Sequence, residues 1–117
     1  MKIGTTQTFP QWVKIIYNPP YQEVDGGSGA SATPVYNKFI EETKTLNPTA
    51  MSFIIPAKWY SGGKGLDKFR EQMLNDKRMA VLADYPNSLN VFPNVDVAGG
   101  VCYFVWAKSH DGKCYYI

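Results

Sequence analysis

The chain has 117 residues with a formal charge of +2, and 44% of it is hydrophobic and 15% aromatic. That length suits a single domain, residues 1–117, with enough apolar material for a core, and the weak basic excess permits a polyanionic partner without marking a dedicated electrostatic binder. No stretch approaches the roughly 20 apolar residues of a membrane span, the N-terminus lacks a signal-peptide pattern, and two cysteines with one histidine are too few for a structural zinc site, so neither membrane nor metal is expected.

Residues 1–11 read as an irregular polar lead-in. Trp12–Tyr17 (WVKIIY) has the β-branched and aromatic content of a strand and is closed by Pro19-Pro20. Lys14 is its only charge, so both faces are expected to be covered, as in a parallel sheet. Gln22–Thr33 is dominated by glycine and small residues, without apolar periodicity, and reads as a long functional or mobile loop. A helix follows, with Thr33 as its cap and Pro34 in its first turn, and Asn47-Pro48 ends it.

Ala50–Ile55 (AMSFII) is a second strand, stopped by Pro56. Ala57–Gly65 is a glycine-rich loop. Leu66, Phe69 and Met73 then recur at helical spacing, which predicts a helix over Leu66–Asn75. Met79–Ala83 is a third strand, Asp84–Gly100 is irregular, and Val101–Ala107 (VCYFVWA) is a fourth strand. After a turn at Ser109–Gly112, Cys114–Ile117 is a short fifth. Strands alternating with helices predict an α/β fold with a largely parallel, mixed sheet and an antiparallel C-terminal strand pair.

The first strand ends at Asn18-Pro19-Pro20-Tyr21. In α/β sheets ligands bind beyond the carboxyl ends of the strands. Two acceptors stand there, the Asn18 side-chain oxygen and the Pro19 carbonyl. They suit the two hydrogens of a delocalised, poorly nucleophilic amino group such as that of adenine, and they would stabilise the positive charge that develops when it attacks a methyl group. The prolines stiffen the turn and remove competing N–H donors. Tyr21 offers a ring on which an extruded base stacks. The same four residues also read as an ordinary proline turn after a strand.

Four segments set the motif in a wider pattern: IIYNPPYQ, ASATPVYNKFIEE, SFIIPAKWYSGGKGLDKFREQMLNDKR and DYPNSLNVFPNVDVAGGVCYFVW. From about Trp12 to the C-terminus they resemble the adenine-specific (N6) DNA methyltransferases of restriction–modification systems, in the branch with an NPPY motif. The resemblance implies a Rossmann-like sheet, S-adenosylmethionine as cofactor and double-stranded DNA as partner. It makes Asn18, Pro19, Pro20 and Tyr21 catalytic, and Phe92 the second aromatic residue against a flipped base. The family's cofactor half begins with a strand, a glycine-rich turn and a helix, followed by an acidic residue, all ahead of the motif. None of the residues before Asn18 supplies that turn. The chain therefore resembles the second half of the catalytic domain, working with a complementary half or as a homo-oligomer. The alternative is a non-enzymatic remnant or a protein- or DNA-binding module that self-associates through an exposed sheet edge.

Weaker signals remain. Ser61–Gly65 fails the P-loop pattern, but its glycine amides at a helix start, with Lys58 and Lys64, could meet a DNA phosphate. Trp59 could line a pocket or pack in the core. The charged residues from Asp67 to Arg78 read as a solvated face. His110 has no visible partner for catalysis, and Gly99-Gly100 reads as a place where the backbone bends or approaches a neighbour. Cys102 and Cys114 are expected to be reduced thiols of a cytoplasmic protein.

Overall fold

A computed structural model of the protein describes residues 14–22, 33–63, 65–94 and 96–117. Strands β1 (Lys14–Tyr17), β2 (Ala50–Pro56), β3 (Met79–Tyr85), β4 (Val101–Ala107) and β5 (Tyr115–Tyr116) form one sheet in the order β1-β2-β4-β3-β5. Helix α1 (Tyr36–Thr45) connects β1 to β2, and α2 (Asp67–Asn75) connects β2 to β3. β1 is parallel to β2 and β3 to β5, while β4 runs antiparallel between β2 and β3. The α/β class and the mixed sheet agree with the sequence reading, and the arrangement is that of a partial Rossmann-like sheet.

The expected C-terminal pair takes a different form. β4 and β5 do run in opposite directions, but β3 separates them. Ser109–Gly112 is therefore no hairpin turn; it starts a passage across the end of β3 to its far side. The cause lies in the two strands' side chains. Cys102, Phe104 and Trp106 are completely buried, and Tyr103 and Val105 on the other face are half-buried. A strand so apolar on both faces loses more surface to water between two neighbours than at an edge. β5 contributes two exposed tyrosines and takes the edge.

The core is built on one face. Met51, Phe53 and Ile55 of β2 stand in register with Trp106, Phe104 and Cys102 of β4. The Phe53 and Phe104 rings stack at 5.9 Å with an interplanar angle of 7°. Tyr36 and Ile40 of α1, and Phe69 and Met73 of α2, each four residues apart on one helix side, close over them. Since both helices lie on that face, the other stays half-open, and Ile16 on β1 is 85% exposed. The expectation that both faces of the first strand are covered is not met among the described residues. Trp12 and Val13 of the predicted strand lie outside the described residues.

Helix α1 starts later than predicted. Val35 holds the cap position, and no side chain caps the helix, so Thr33 does not. Pro34 is drawn into an antiparallel bridge with Gln22, and the Val35 N–H donates to the Tyr21 carbonyl at 3.1 Å. Pro34 is thus extended rather than helical, and the helix start is tied to the residues that follow β1.

One member of the predicted solvated face belongs to the interior. The Asp76 carboxylate has 6% side-chain exposure. It accepts hydrogen bonds from Lys44 Nζ at 2.9 Å, Arg78 Nε at 2.9 Å and Trp106 Nε1 at 3.0 Å. The Arg78 guanidinium also lies over the Trp106 ring, 4.8 Å from its centroid. One carboxylate therefore pins α1, the end of α2, the start of β3 and β4 together. Burial pushes its pKa up, but the bonds from Arg78 and Lys44 outweigh that and hold it well below the usual carboxylate range. Asp76→Ala strands the Trp106 N–H and should cost about 3 kcal/mol in urea unfolding at neutral pH. Because the folded-state pKa is depressed, this contribution is complete above the unfolded carboxylate value near pH 4 and is lost as pH falls below it. The stability gap between the wild type and Asp76→Ala should therefore narrow on acidification from about pH 5 downward.

Candidate active site

The chain leaves β1 at Asn18-Pro19-Pro20-Tyr21, at the carboxyl end of the parallel strands. Its entry is fixed by the pairing of Tyr17 with Phe53, and its exit by the Val35–Tyr21 bond and the Gln22–Pro34 bridge. Pro19 is buried and Asn18 is exposed. The Tyr21 carbonyl is consumed by Val35. Among the described residues nothing donates to the Asn18 side chain or the Pro19 carbonyl, so both acceptors are available.

The motif forms one wall of a cleft of about 640 Å³. Across it stand Pro56, which ends β2, Lys58, which follows it, and Asp96, Val97 and Ala98, which precede β4. Lys58 lies along Gly99, where a Cβ would come within 3.4 Å of the lysine Cγ. The stem of Lys58 is thereby guided past the glycine to the cleft, with its ammonium group at the exposed end.

The sequence-predicted residues separate here. Asn18, Pro19, Pro20, Tyr21 and Lys58 share the cleft. Trp59 does not: successive residues of a 3-10 turn, here Ala57–Ser61, point about 120° apart. Its ring is buried against Phe69 at 5.7 Å, and its indole N–H donates to Cys102 Sγ at 3.4 Å. Trp59 also borders a separate groove between the end of α2 and the Gly112–Cys114 segment. Lys64 lies outside the described residues. The proposed glycine-amide anion cradle is already occupied at Gly63, whose N–H donates to the Asp67 carboxylate at 2.8 Å.

Phe92 is half-buried and is not part of the cleft lining, and its N–H donates to the Ser88 carbonyl at 2.8 Å. Tyr21 instead meets Tyr36, with ring centroids 6.4 Å apart and an interplanar angle of 83°. His110 is engaged only locally, its Nε2–H donating to the Lys113 carbonyl at 2.8 Å. Asp96 is the cleft residue that the sequence reading missed. The one available signal was Gly99-Gly100, which marked a close approach nearby.

The ionisation behaviour limits the chemistry. Burial, reinforced by the neighbouring Cys102, pushes the Tyr21 hydroxyl up to about 12. Burial likewise pushes the Cys102 thiol up to about 11, although bonds from Trp59 and Tyr60 pull the other way. Near neutral pH Tyr21 is therefore an uncharged aromatic surface and Cys102 an inert thiol. The site offers acceptors and a ring rather than a nucleophile.

The cleft thus brings acceptors at the carboxyl strand end together with an aromatic ring and a lysine. The sequence pattern of the Eco57I restriction-modification methylases matches residues 11–92, a span that contains the whole motif and ends at Phe92. The chain belongs to that family. It is also 31% identical over 102 residues to an uncharacterized adenine-specific methylase of Mycoplasma pneumoniae (strain ATCC 29342 / M129 / Subtype 1). That match takes in 85% of this chain and 24% of the relative, so the chain spans about a quarter of the relative's length. Among the described residues no group of His, Cys, Asp and Glu could hold a metal ion, and no helix is long and apolar enough to cross a membrane.

Proposed function

We propose that the chain provides the base-binding side of a DNA adenine-N6 methyltransferase of a restriction–modification system, acting on an adenine flipped out of double-stranded DNA. The observation that carries this reading is the pair of acceptors, Asn18 Oδ1 and the Pro19 carbonyl, which take no bond among the described residues and line the cleft on a turn fixed at both ends. The two acceptors take the two amino hydrogens. That orients the amino nitrogen and stabilises the charge it gains on methylation. Tyr21 stacks on one face of the base. Phe92 is the aromatic residue matched by pattern to the other face. Lys58 meets a DNA phosphate at the cleft rim. Transfer is direct, without a covalent enzyme intermediate, in keeping with the inert Cys102.

S-adenosylmethionine is the methyl donor this reading calls for. The cleft residues named above serve the base. A complementary half would bind the cofactor.

The experiment is a reaction of duplex DNA and S-adenosylmethionine with this chain, supplied with its complementary half or within a full-length parent. Nucleosides are then analysed by mass spectrometry. N6-methyl-2′-deoxyadenosine is the expected product. Methylation confined to cytosine, or none at all from a correctly folded parent, would sink the proposal.

A second reading rests on the exposure of β1. It lies at the edge of the sheet, with Ile16 projecting into solvent, and such an edge pairs readily with another chain. A non-enzymatic module self-associating there should sediment as a dimer at high concentration. A strictly monomeric species would remove this alternative.

A further inference from the structure

The Asn18–Tyr21 turn and Lys58 come from distant parts of the sequence, yet a line of rings joins the two walls of the cleft. Tyr21 meets Tyr36 edge-on at 6.4 Å, and Tyr36 meets Phe69 edge-on at 5.9 Å. Phe69 meets Trp59 at 5.7 Å and 79°, and Trp59 follows Lys58 directly. Three ring contacts, all near perpendicular, thus run from the motif's tyrosine through α1 and α2 to the opposite wall. Edge-to-face contacts fix ring planes, since the positive edge of one ring seeks the negative face of the next.

Tyr36 is the middle of this line and is 2% exposed. Its hydroxyl and that of Tyr21 are both buried without a hydrogen-bond partner among the described residues. Tyr36, like Tyr21, is held above its ordinary pKa first by burial and then by the charge of the Cys102 thiolate. A tyrosine with an unsatisfied hydroxyl has no bond of its own to hold its ring. What holds Tyr21 is its neighbour's ring and the Val35 N–H on its carbonyl.

We propose that Tyr36 is a positioning residue for Tyr21: it blocks the inward swing of the Tyr21 ring and so keeps one face of that ring turned to the cleft. The role as base stack rests on the function proposed above, whereas the ring arrangement does not. Tyr36→Leu opens space behind Tyr21, and an adenine ligand should then bind at least about fivefold more weakly, the lower end of what one base–aromatic stack contributes. Tyr36→Phe keeps the ring and should restore both the arrangement and the binding.

The test uses the chain with 3-fluorotyrosine at position 21, followed by fluorine NMR, with adenosine as the probe. In the unmutated chain, nuclear Overhauser contacts should join the Tyr21 and Tyr36 rings. Their absence overturns the proposal whether or not any variant folds. In Tyr36→Leu the position-21 signal should shift and broaden, and in Tyr36→Phe it should stay within the wild-type envelope. An unmoved signal in a folded Tyr36→Leu chain also overturns the proposal. If the ring contacts are present but adenosine leaves the wild-type signal untouched, the base-pocket reading fails, and the positioning of Tyr21 by Tyr36 is upheld.

Discussion

The Gly100→Ala chain is expected to lose about 3 to 5 kcal/mol of stability in urea unfolding, a large share of the total for a domain of this size. Gly100 has φ +81°, in the left-handed region that an alanine occupies only under strain. Its absent Cβ would also sit 2.6 Å from the Pro86 carbonyl oxygen and closer still to that of Tyr85. Both obstacles are backbone atoms at the end of β3, so no side chain can turn aside to relieve the clash. Gly100 is moreover bonded on both sides. Its N–H donates to Val97 at 2.9 Å, and its carbonyl accepts from Ala57 at 3.0 Å. Those two partners sit beside the cleft residues Lys58 and Ala98, so the damage should reach the site as well as the sheet.

Gly99→Ala provides the comparison. Its φ of +85° carries the same kind of strain, but its Cβ would meet only the Lys58 stem at 3.4 Å, which is flexible. It should cost less, about 1 to 3 kcal/mol. Equal and small losses at both glycines, under 1 kcal/mol on the scale of a favourable Gly→Ala change, would show that the crossing is not packed as described.

Much of this architecture was legible in the sequence because local patterns and tertiary context agree. AMSFII and VCYFVWA are apolar enough to be strands in any setting, and Leu66, Phe69 and Met73 mark the buried side of α2. The position of NPPY past a strand end followed from its prolines. What was not legible depends on partners far away in the chain. Nothing in VCYFVWA says whether it borders one strand or two; its central place follows from competition with the weakly apolar CYYI for burial. Asp76 stands in a run of seven charged residues and differs from them only because Lys44, Arg78 and Trp106 converge on it. Thr33 looked like a cap, but the bridge between Gln22 and Pro34 took its place. In the site, the neighbours Lys58 and Trp59 look equally suited to a pocket, and the 3-10 turn sends one to the cleft and the other to the core. Phe92 could be matched by pattern, but its distance from Tyr21 is a matter of the loop's path.

The central claim is that Asn18 acts on the reacting amino group rather than merely shaping a proline turn. Asn18 is exposed and at the strand end, and among the described residues its side chain holds nothing in place, so its removal should leave folding almost unchanged. It should, however, remove one of two acceptors from the charge that builds up on the amino nitrogen, and such groups are worth about 10²–10³-fold in turnover. The remaining acceptor, the Pro19 carbonyl, keeps the base in the cleft, so DNA affinity should change far less than the rate. The most direct measurement is the single-turnover rate of adenine methylation in duplex DNA by the parent or reconstituted enzyme, wild type against Asn18→Ala. The account predicts a fall of about 10²–10³-fold with unfolding and DNA binding nearly unaltered, and near-normal turnover by Asn18→Ala would contradict it.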